Sequence, residues 1–251
     1  MDVTGGIRFR WQSAGMTHRG TVRTRNEDAI LDLGDDGLWI VADGMGGHRR
    51  GDVASRMIVD GGSAMAGKAD ADLLKAAIDD GLTRVNADLV HLSRTSEGGA
   101  VIGSTVAVLG LAGETAVLGW AGDSRIYRMR GGALTQLTRD HSRVEVLVQQ
   151  GVIGRDEAER HPEANVVTRA VGATDTLDVE FLTQPLADND TYLLCSDGLP
   201  KVVSEAVMTE SLKLRTCDDC ARALIDTALT QGARDNVSVI VVRIEEITAD
   251  P

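Results

Sequence analysis

Four aspartates, far apart along the chain, lie in short motifs that could hold metal ions. Asp28 ends RTRNED, Asp43 opens DGMGGH, Asp197 lies in LLCSDGL and Asp235 lies in GARDNVSVIVV. Asp43 and Asp197 follow apolar runs that resemble buried strands, and Asp235 precedes one. An unpaired carboxylate at such a strand end would be desolvated at a cost of several kcal/mol. The pattern therefore predicts carboxylates gathered around hard divalent cations.

The elements that must position these aspartates can be read from apolar periodicity. Strands are expected in the short β-prone runs 30–33, 38–42, 105–111, 116–120, 125–130, 192–195 and 237–244. Helices are expected at 53–65, 71–92, 142–150 and 217–230, most clearly where apolar residues recur every three or four positions. Neighbouring strands close enough to form hairpins, with helices inserted between them, indicate an α+β sandwich.

Taken in order, the motifs resemble those of bacterial members of the PP2C, or PPM, family of metal-dependent serine/threonine protein phosphatases. Besides the acidic motifs, the chain carries GSTVAVL at 103–109, WAGDSRIY at 120–127, LTRDHS at 137–142 and NVVTRAVG at 165–172. The matches extend over nearly the whole chain. The resemblance implies a four-layer αββα sandwich of two mostly antiparallel sheets flanked by helices, which periodicity alone does not establish.

The resemblance also implies a metal centre with two core ions, Mn²⁺ or Mg²⁺. Asp43 matches the position that bridges both ions, and the backbone carbonyl of Gly44 would bind one of them. Asp197 and Asp235 would complete the shell of the other ion. Water would fill most remaining positions, because these cations favour octahedral oxygen coordination.

Three more residues receive roles from the same resemblance. Asp28 matches a carboxylate that holds metal-bound waters, and Asp123 matches a residue associated with a weaker third metal. Arg23 matches an arginine that binds the phosphate of the substrate, and a planar guanidinium can grip two phosphoryl oxygens. The alternative is that Arg23 is an ordinary surface arginine like Arg19 and Arg25, but its position within the motif favours the phosphate role.

The implied reaction is direct hydrolysis of phosphoserine and phosphothreonine by a metal-activated water, without a phospho-enzyme. The group that protonates the leaving alkoxide stays open. Many eukaryotic relatives have histidine where this chain has Met45, and methionine cannot donate a proton. His48 and a metal-bound water are the alternatives, whereas His141 is expected to organise a loop near the cleft.

Composition restricts the partners and the location of the protein. The chain has 26 basic and 38 acidic residues, and the net charge of -12 opposes binding to nucleic acid or to anionic membranes. Residues 1–251 contain no Pro- or Ser-rich linker, so we expect one domain. Without a signal-peptide pattern or an apolar run of about 18 residues, we expect a cytoplasmic protein, taken to be monomeric.

The segment at about 142–165 is expected to resemble the flap beside the catalytic cleft of the family. Its part from 151 to 165 is polar and lacks a steady apolar period. A plain surface loop is the alternative, and the sequence leaves both open.

Two further motifs are expected to be misleading. GSAMAGKA at 62–69 matches the start of a phosphate-binding loop, but Ala69 stands where Ser or Thr would bind Mg²⁺. Cys217 and Cys220 form a CxxC on a predicted amphipathic helix, with no second CxxC or nearby histidine. We therefore expect neither an ATPase nor a zinc or redox site.

These observations predict a Mn²⁺- or Mg²⁺-dependent phosphoprotein phosphatase that opposes a bacterial serine/threonine kinase. One alternative is an inactive binding module with the same fold, against which the presence of Asp43, Asp197, Asp235 and Arg23 argues. Another is a partner-switching phosphatase with one dedicated substrate. The sequence does not assign the pathway; some short members of the family accompany type VI secretion kinases.

Overall fold

Two β-sheets form the centre of the molecule. The structure is a computed structural model that describes residues 8–46, 50–96, 100–158 and 160–247. The strands are β1 (Arg8–His18), β2 (Asp28–Leu33), β3 (Leu38–Gly46), β4 (Ile102–Ser104), β5 (Val106–Ala112), β6 (Thr115–Ala121), β7 (Arg125–Arg130), β8 (Ala133–Gln136), β9 (Glu180–Pro185), β10 (Thr191–Cys195) and β11 (Val237–Ile247). The first sheet has the order β1-β11-β10-β7-β8, and the second has β2-β3-β5-β6-β9, with β4 beside β3. These strand pairings are antiparallel.

Helices cover the outer faces of both sheets. The helices of the described residues are α1 (Gly51–Gly61), α2 (Ala71–Thr95), α3 (Arg143–Gln149), α4 (Arg155–Ala158), α5 (Glu205–Leu212) and α6 (Cys217–Thr230). Helices α1 and α2 pack on the second sheet, and α5 and α6 pack on the first. The side chains of Asp70, Ser142 and Thr216 cap the N-termini of α2, α3 and α6 by accepting backbone N–H bonds. Among the described residues, no helix is both long and apolar enough to span a bilayer.

Strand β3 shows why the fold needs four layers. Trp39 and Val41 point between the two sheets, whereas Leu38, Ile40 and Ala42 point toward α1 and α2. All five side chains are fully buried. Because successive residues of a strand face opposite sides, a strand that is apolar on both faces must be covered on both.

Strand β10 in the first sheet repeats this arrangement. Tyr192 and Leu194 face the second sheet, whereas Leu193 and Cys195 face the layer of α5 and α6. The αββα sandwich that the resemblance implied is therefore confirmed.

The predicted strands and helices are present, with ends that differ by a few residues in several cases. The pattern does not predict β1, β4, β8, β9 or α5. Strand β1, RFRWQSAGMTH, mixes charged, polar and small residues, and it pairs with β11 over its whole length. Its extended conformation is thus stabilised by a partner more than two hundred positions away, which a local pattern does not reveal.

The segment at 142–165 contains α3 and the short α4, and most of the described side chains from 151 to 165 are at least partly exposed. The exposure agrees with the expectation for this polar stretch. Its assignment as a flap remains a prediction.

The two misleading motifs have ordinary structural roles. Residues Gly62–Ala64 form a short 3₁₀ helix directly after α1, so no strand precedes the GxxxxGK match. Cys217 and Cys220 are buried free thiols on α6, and burial raises the pKa of both. Their setting favours packing over metal or redox chemistry.

The core between the sheets can be tested with Leu194→Ala. Leu194 is 0% exposed, so we expect the variant to lose about 2–5 kcal/mol of unfolding free energy through lost burial and a residual cavity. The matched control is Leu73→Ala on α2, where the leucine is 63% exposed and a change within about 0.5 kcal/mol is expected. Urea denaturation of both variants measures the difference. Equal losses would contradict the placement of Leu194 between the sheets.

Candidate active site

The predicted aspartates meet at one end of the sandwich. Asp28 begins β2 and lies directly opposite Asp43 of β3 in the antiparallel register. Asp197 follows β10 and Asp235 precedes β11, and these two strands are antiparallel neighbours in the other sheet. Asp123 lies in the connection from β6 to β7. Both sheets therefore contribute carboxylates to the same end.

These residues border a single cleft. Its lining includes Asp43, Asp123, Asp197 and Asp235, together with Arg23. Its volume of about 780 Å³ lies in the usual range for small-ligand sites. Asp28 lies beneath, with 8% of its surface exposed.

Close backbone approaches explain the glycines that follow Asp43 and Asp197. A Cβ atom on Gly44 would lie 2.1 Å from the carbonyl oxygen of Gly51, and one on Gly198 would lie 1.9 Å from that of Asn236. Such distances exclude any side chain at either position without rearrangement. Gly44 also lines the cleft, beside Asp43.

The backbone around Asp43 is held by β4 and by Thr105, the residue that joins β4 to β5. Its carbonyl oxygen accepts hydrogen bonds from the Thr105 backbone N–H at 2.9 Å and from Ser104 Oγ at 2.9 Å. Thr105 Oγ1 in turn lies 2.7 Å from Ser124 Oγ, next to Asp123. These contacts fix the backbone that carries Asp43 relative to its acidic neighbours.

Crowding of negative charge changes the pKa values of the cluster. Burial, followed by the charge of Asp28 and the other acidic neighbours, raises the pKa of Asp43 well above its ordinary value. Burial together with nearby carboxylates raises the pKa of Asp28 to about 7 and that of Asp123 to about 7. The site therefore holds more carboxylates than it can keep charged without added cations.

Asp28 links the two sheets at this end. Its Oδ2 accepts hydrogen bonds from Ser196 Oγ at 2.8 Å and from Ser238 Oγ at 2.6 Å, both on the first sheet's side. Its buried Oδ1 accepts no hydrogen bond from the residues that the structure describes. Oδ1 can therefore accept a hydrogen bond from a water molecule. The sequence motifs did not point to either serine, although Ser196 directly precedes Asp197 and Ser238 lies three positions after Asp235.

Two basic side chains contact the predicted ligands. Arg23 binds Asp235 through Nε at 2.8 Å and Nη2 at 2.9 Å, and Lys201 Nζ donates to Asp197 Oδ2. Burial would raise the pKa of Asp235, but the Arg23 contact outweighs it and the pKa is lowered. Burial would lower the pKa of Lys201, but the charge of Asp197 outweighs it and the pKa is raised. Lys201 did not emerge from the sequence analysis; its i,i+4 spacing from Asp197 was the available signal.

Asn236 holds the loop that carries Arg23. Its side-chain nitrogen donates to the backbone carbonyls of Arg19 and Arg25, each at 3.0 Å, and its side-chain oxygen accepts from the Glu27 N–H at 2.8 Å. The loop is thus tied on both sides of Arg23 to the residue that follows Asp235. The sequence analysis missed this role, although Asn236 lies inside the RDN motif.

The donor set suits the cations that the resemblance implied. The candidate ligands Asp43, Asp197, Asp235 and the Gly44 carbonyl offer only hard oxygen atoms, as Mg²⁺ and Mn²⁺ prefer. Within the described ranges, no three histidine, cysteine, aspartate or glutamate side chains converge as a closed metal cage would require. An open site with several retained waters needs fewer protein ligands around each ion. The residues present therefore fit such ions.

His141 organises the loop beside the cleft, as expected. Its Nδ1 accepts from the Gly122 N–H at 3.1 Å, its Nε2 lies 3.0 Å from Glu180 Oε2, and its ring stacks on Trp120. Burial lowers the pKa of His141 despite the Glu180 contact. Met45 lines the cleft, and His48 lies outside the described residues. The proton donor thus stays open.

The raised pKa of Asp28 predicts a pH dependence of stability in chelator. Because the folded-state pKa of about 7 exceeds the ordinary value of 3.8, the folded protein binds more protons, and its stability should fall as pH rises through this window. The side chain in Asp28→Asn cannot ionise and keeps an acceptor for Ser196 and Ser238. The stability of this variant should therefore fall less steeply as pH rises. Urea denaturation across this range measures the effect, with the exposed Asp79→Asn as control. If stability depended on pH as steeply in Asp28→Asn as in the parent, the pH dependence could not be assigned to Asp28.

Known proteins resemble this chain over most of its length. The family described as Protein phosphatase 2C matches residues 14–235. The serine/threonine phosphatase stp of Listeria monocytogenes serotype 4b (strain F2365) is 36% identical over 234 residues, which cover 90% of this chain and 93% of that protein.

Two solved structures are also similar. PppA, described as a key regulatory component of T6SS in Pseudomonas aeruginosa, shares 39% identity with a TM-score of 0.85, over 95% of this chain and 98% of PppA. The catalytic domain of the phosphatase PstP, in complex with two manganese ions, shares 32% identity with a TM-score of 0.83, over 95% of this chain and 100% of that domain. With its motifs, fold and family match in agreement, this chain belongs to the bacterial protein phosphatase 2C family of hydrolytic enzymes.

Proposed function

We propose that this chain is a Mn²⁺- or Mg²⁺-dependent phosphatase that hydrolyses phosphoserine and phosphothreonine in proteins. The observation that carries the proposal is the cleft that Asp43, Asp123, Asp197 and Asp235 line together with Arg23. The relatives described as serine/threonine phosphatases support the substrate class. The two manganese ions of the PstP catalytic domain support the choice of cation.

Asp43, the Gly44 carbonyl, Asp197 and Asp235 would hold two core ions. When bound, such ions activate a water for attack on phosphorus near neutral pH and screen the phosphoryl charge. The protein's part is to keep the carboxylates in place, with Asp43 fixed through its backbone and Asp28 fixed by two serine hydroxyls. The unsatisfied Oδ1 of Asp28 can accept a hydrogen bond from water and so orient it.

Arg23 would position the phosphoryl group of the substrate. Its guanidinium lies at the cleft on a loop anchored by Asn236, and it already makes a bidentate contact with a carboxylate, Asp235. The same two donors match two phosphoryl oxygens. Holding the phosphate in one orientation lowers the entropic part of the barrier.

Two alternatives differ from this proposal in turnover or in substrate range. An inactive binding module would not need several carboxylates confined at a cost in electrostatic repulsion, so their presence favours the active enzyme. A partner-switching phosphatase would use the same chemistry on one dedicated phosphoprotein. Activity against unrelated phosphopeptides distinguishes the broader enzyme from this second alternative.

The biological setting is proposed from the likeness to one solved structure. A cognate serine/threonine kinase and its substrates are the partners we propose, and the likeness to PppA supports a role in type VI secretion. Neighbouring genes for such a kinase and for secretion components would test this placement. The cytoplasmic location and the monomeric state stay predictions.

The metal requirement gives the first test of function. Hydrolysis of p-nitrophenyl phosphate should vanish in EDTA and return with Mn²⁺ better than with Zn²⁺, because the donor set is all oxygen. Asp43→Ala and Asp197→Ala should each lower kcat by several orders of magnitude, whereas the exposed Asp79→Ala on α2 should retain parental activity. Full activity of the parent in chelator would refute the metal mechanism. A folded, metal-binding but inactive parent would favour the binding module.

The role of Arg23 gives a second test. Arg23→Ala should lower kcat/KM for a phosphothreonine peptide about ten- to a hundredfold, mainly through KM, because a charge-assisted bidentate contact contributes about 1.5–3 kcal/mol. Its metal affinity should not fall, since Arg23 contacts the Asp235 carboxylate that a metal would use. Arg19→Ala and Arg25→Ala are the matched controls, measured by steady-state kinetics with Mn²⁺ titrated. Equal losses of kcat/KM in all three arginine variants would indicate diffuse electrostatic attraction instead of a specific contact between Arg23 and the phosphate.

A further inference from the structure

Lys201 places a fixed positive charge inside the acidic cleft. It lies four positions after Asp197, and its Nζ donates to Asp197 Oδ2. Lys201 also lines the same cleft as Asp123. Asp197 and Asp123 therefore share their cleft with a positive charge that the chain itself supplies.

The backbone holds this lysine in place. After β10 the chain turns through 196–203, and the Lys201 N–H donates to the carbonyl of Asp197 at 3.2 Å. Leu199 and Val203 anchor the turn in the core, where they are 0% and 1% exposed. The Val203 backbone N–H donates a hydrogen bond to the Leu199 carbonyl at 2.9 Å. Lys201 thus extends from an anchored turn, although its side chain keeps 41% exposure at the rim of the cleft.

The resemblance implied a weaker third metal at Asp123, and Asp197 lines the same cleft. A divalent ion there would lie against the ammonium of Lys201, and like charges at such short range repel strongly in a partly buried site. The ion would have to displace Lys201 from Asp197. The contact with Lys201 uses Oδ2 of Asp197, which leaves Oδ1 for one of the core ions. The residues present therefore fit two core ions better than three.

We propose that the ammonium of Lys201 takes the place of a third metal between Asp197 and Asp123, so that this chain binds two divalent ions and supplies the third cation itself. This inference rests on the proposed metal-dependent function and deepens it. Lys201 is a positioning residue: it places a positive charge in the cleft that Asp123 lines and holds one oxygen of Asp197, and it need not touch the substrate. Asp123 is then a partner of Lys201 and no longer a metal ligand.

The test counts Mn²⁺ ions bound per chain by equilibrium dialysis with metal analysis, over a Mn²⁺ series that extends well above saturation of the core site. Lys201→Asp exchanges the ammonium for a third carboxylate beside Asp123 and Asp197. We expect this variant to bind one more Mn²⁺ than the parent. Lys213→Asp, an exchange at an exposed lysine that pairs with Glu210, is the matched control and should bind the parental number.

A second variant covers the case in which Lys201→Asp does not fold. Lys201→Met keeps most of the side-chain volume and removes only the charge. Without the competing ammonium, it should admit the additional Mn²⁺ at a concentration at least about tenfold lower than the parent requires. An additional ion in the parent at low Mn²⁺, or no gain in either folded variant, would overturn the proposal.

The proposed function is tested separately by the parent's hydrolysis of a phosphothreonine peptide. The role of Lys201 is measured by the difference in bound ions between each variant and the parent. An inactive parent with a gain of one ion in Lys201→Asp would refute the function and support the assignment of Lys201. An active parent without that gain would support the function and refute the assignment of Lys201.

Discussion

Repulsion among carboxylates confined at one end of the sandwich is the constraint on which the rest of this structure depends. Asp28, Asp43 and Asp123 are close enough to other acids, and sufficiently buried, that their pKa values rise far above the usual range for aspartate. A cluster of this kind is unfavourable unless donors and cations compensate for it. Two serine hydroxyls, one guanidinium and one ammonium do so within the chain, and the remaining deficit is the physical basis of affinity for divalent ions.

The sandwich makes this confinement stable because its rigid parts hold the charges. Asp28 and Asp43 belong to one sheet, whereas the residues that flank β10 and β11 belong to the other. The hydrogen bonds from Ser196 and Ser238 to Asp28 join the sheets beneath the cleft. The fully buried layer that includes Trp39, Tyr192 and Leu194 prevents the sheets from moving apart to relieve the repulsion.

Arg23 and Lys201 each offset part of the negative charge of the cleft. Arg23 extends from a loop that Asn236 ties to β11, and its guanidinium is held at the cleft in contact with Asp235. Lys201 extends from a turn anchored in the core and contacts Asp197 in the cleft that Asp123 also lines. A planar, bidentate donor suits a phosphoryl group, and a compact point charge suits the replacement of an ion. The two residue types are therefore not interchangeable in this site.

The sequence by itself determined the family, the aspartates of the site and most of the strands and helices, because each depends on a local signal. The apolar run before Asp43 and the regular apolar spacing of α2 can each be recognised from a short stretch of sequence. Only the tertiary structure decided which groups surround the aspartates. The pairing of β1 with β11, the clamp of Asn236 on the loop of Arg23 and the contact of Arg23 with Asp235 join positions about two hundred residues apart. Lys201 is only four positions from Asp197, but it shares the cleft with Asp123, which comes from the connection between the two sheets. Local patterns record which side chains a segment carries, whereas the balance of charge in a site is set by the segments that the fold brings beside it.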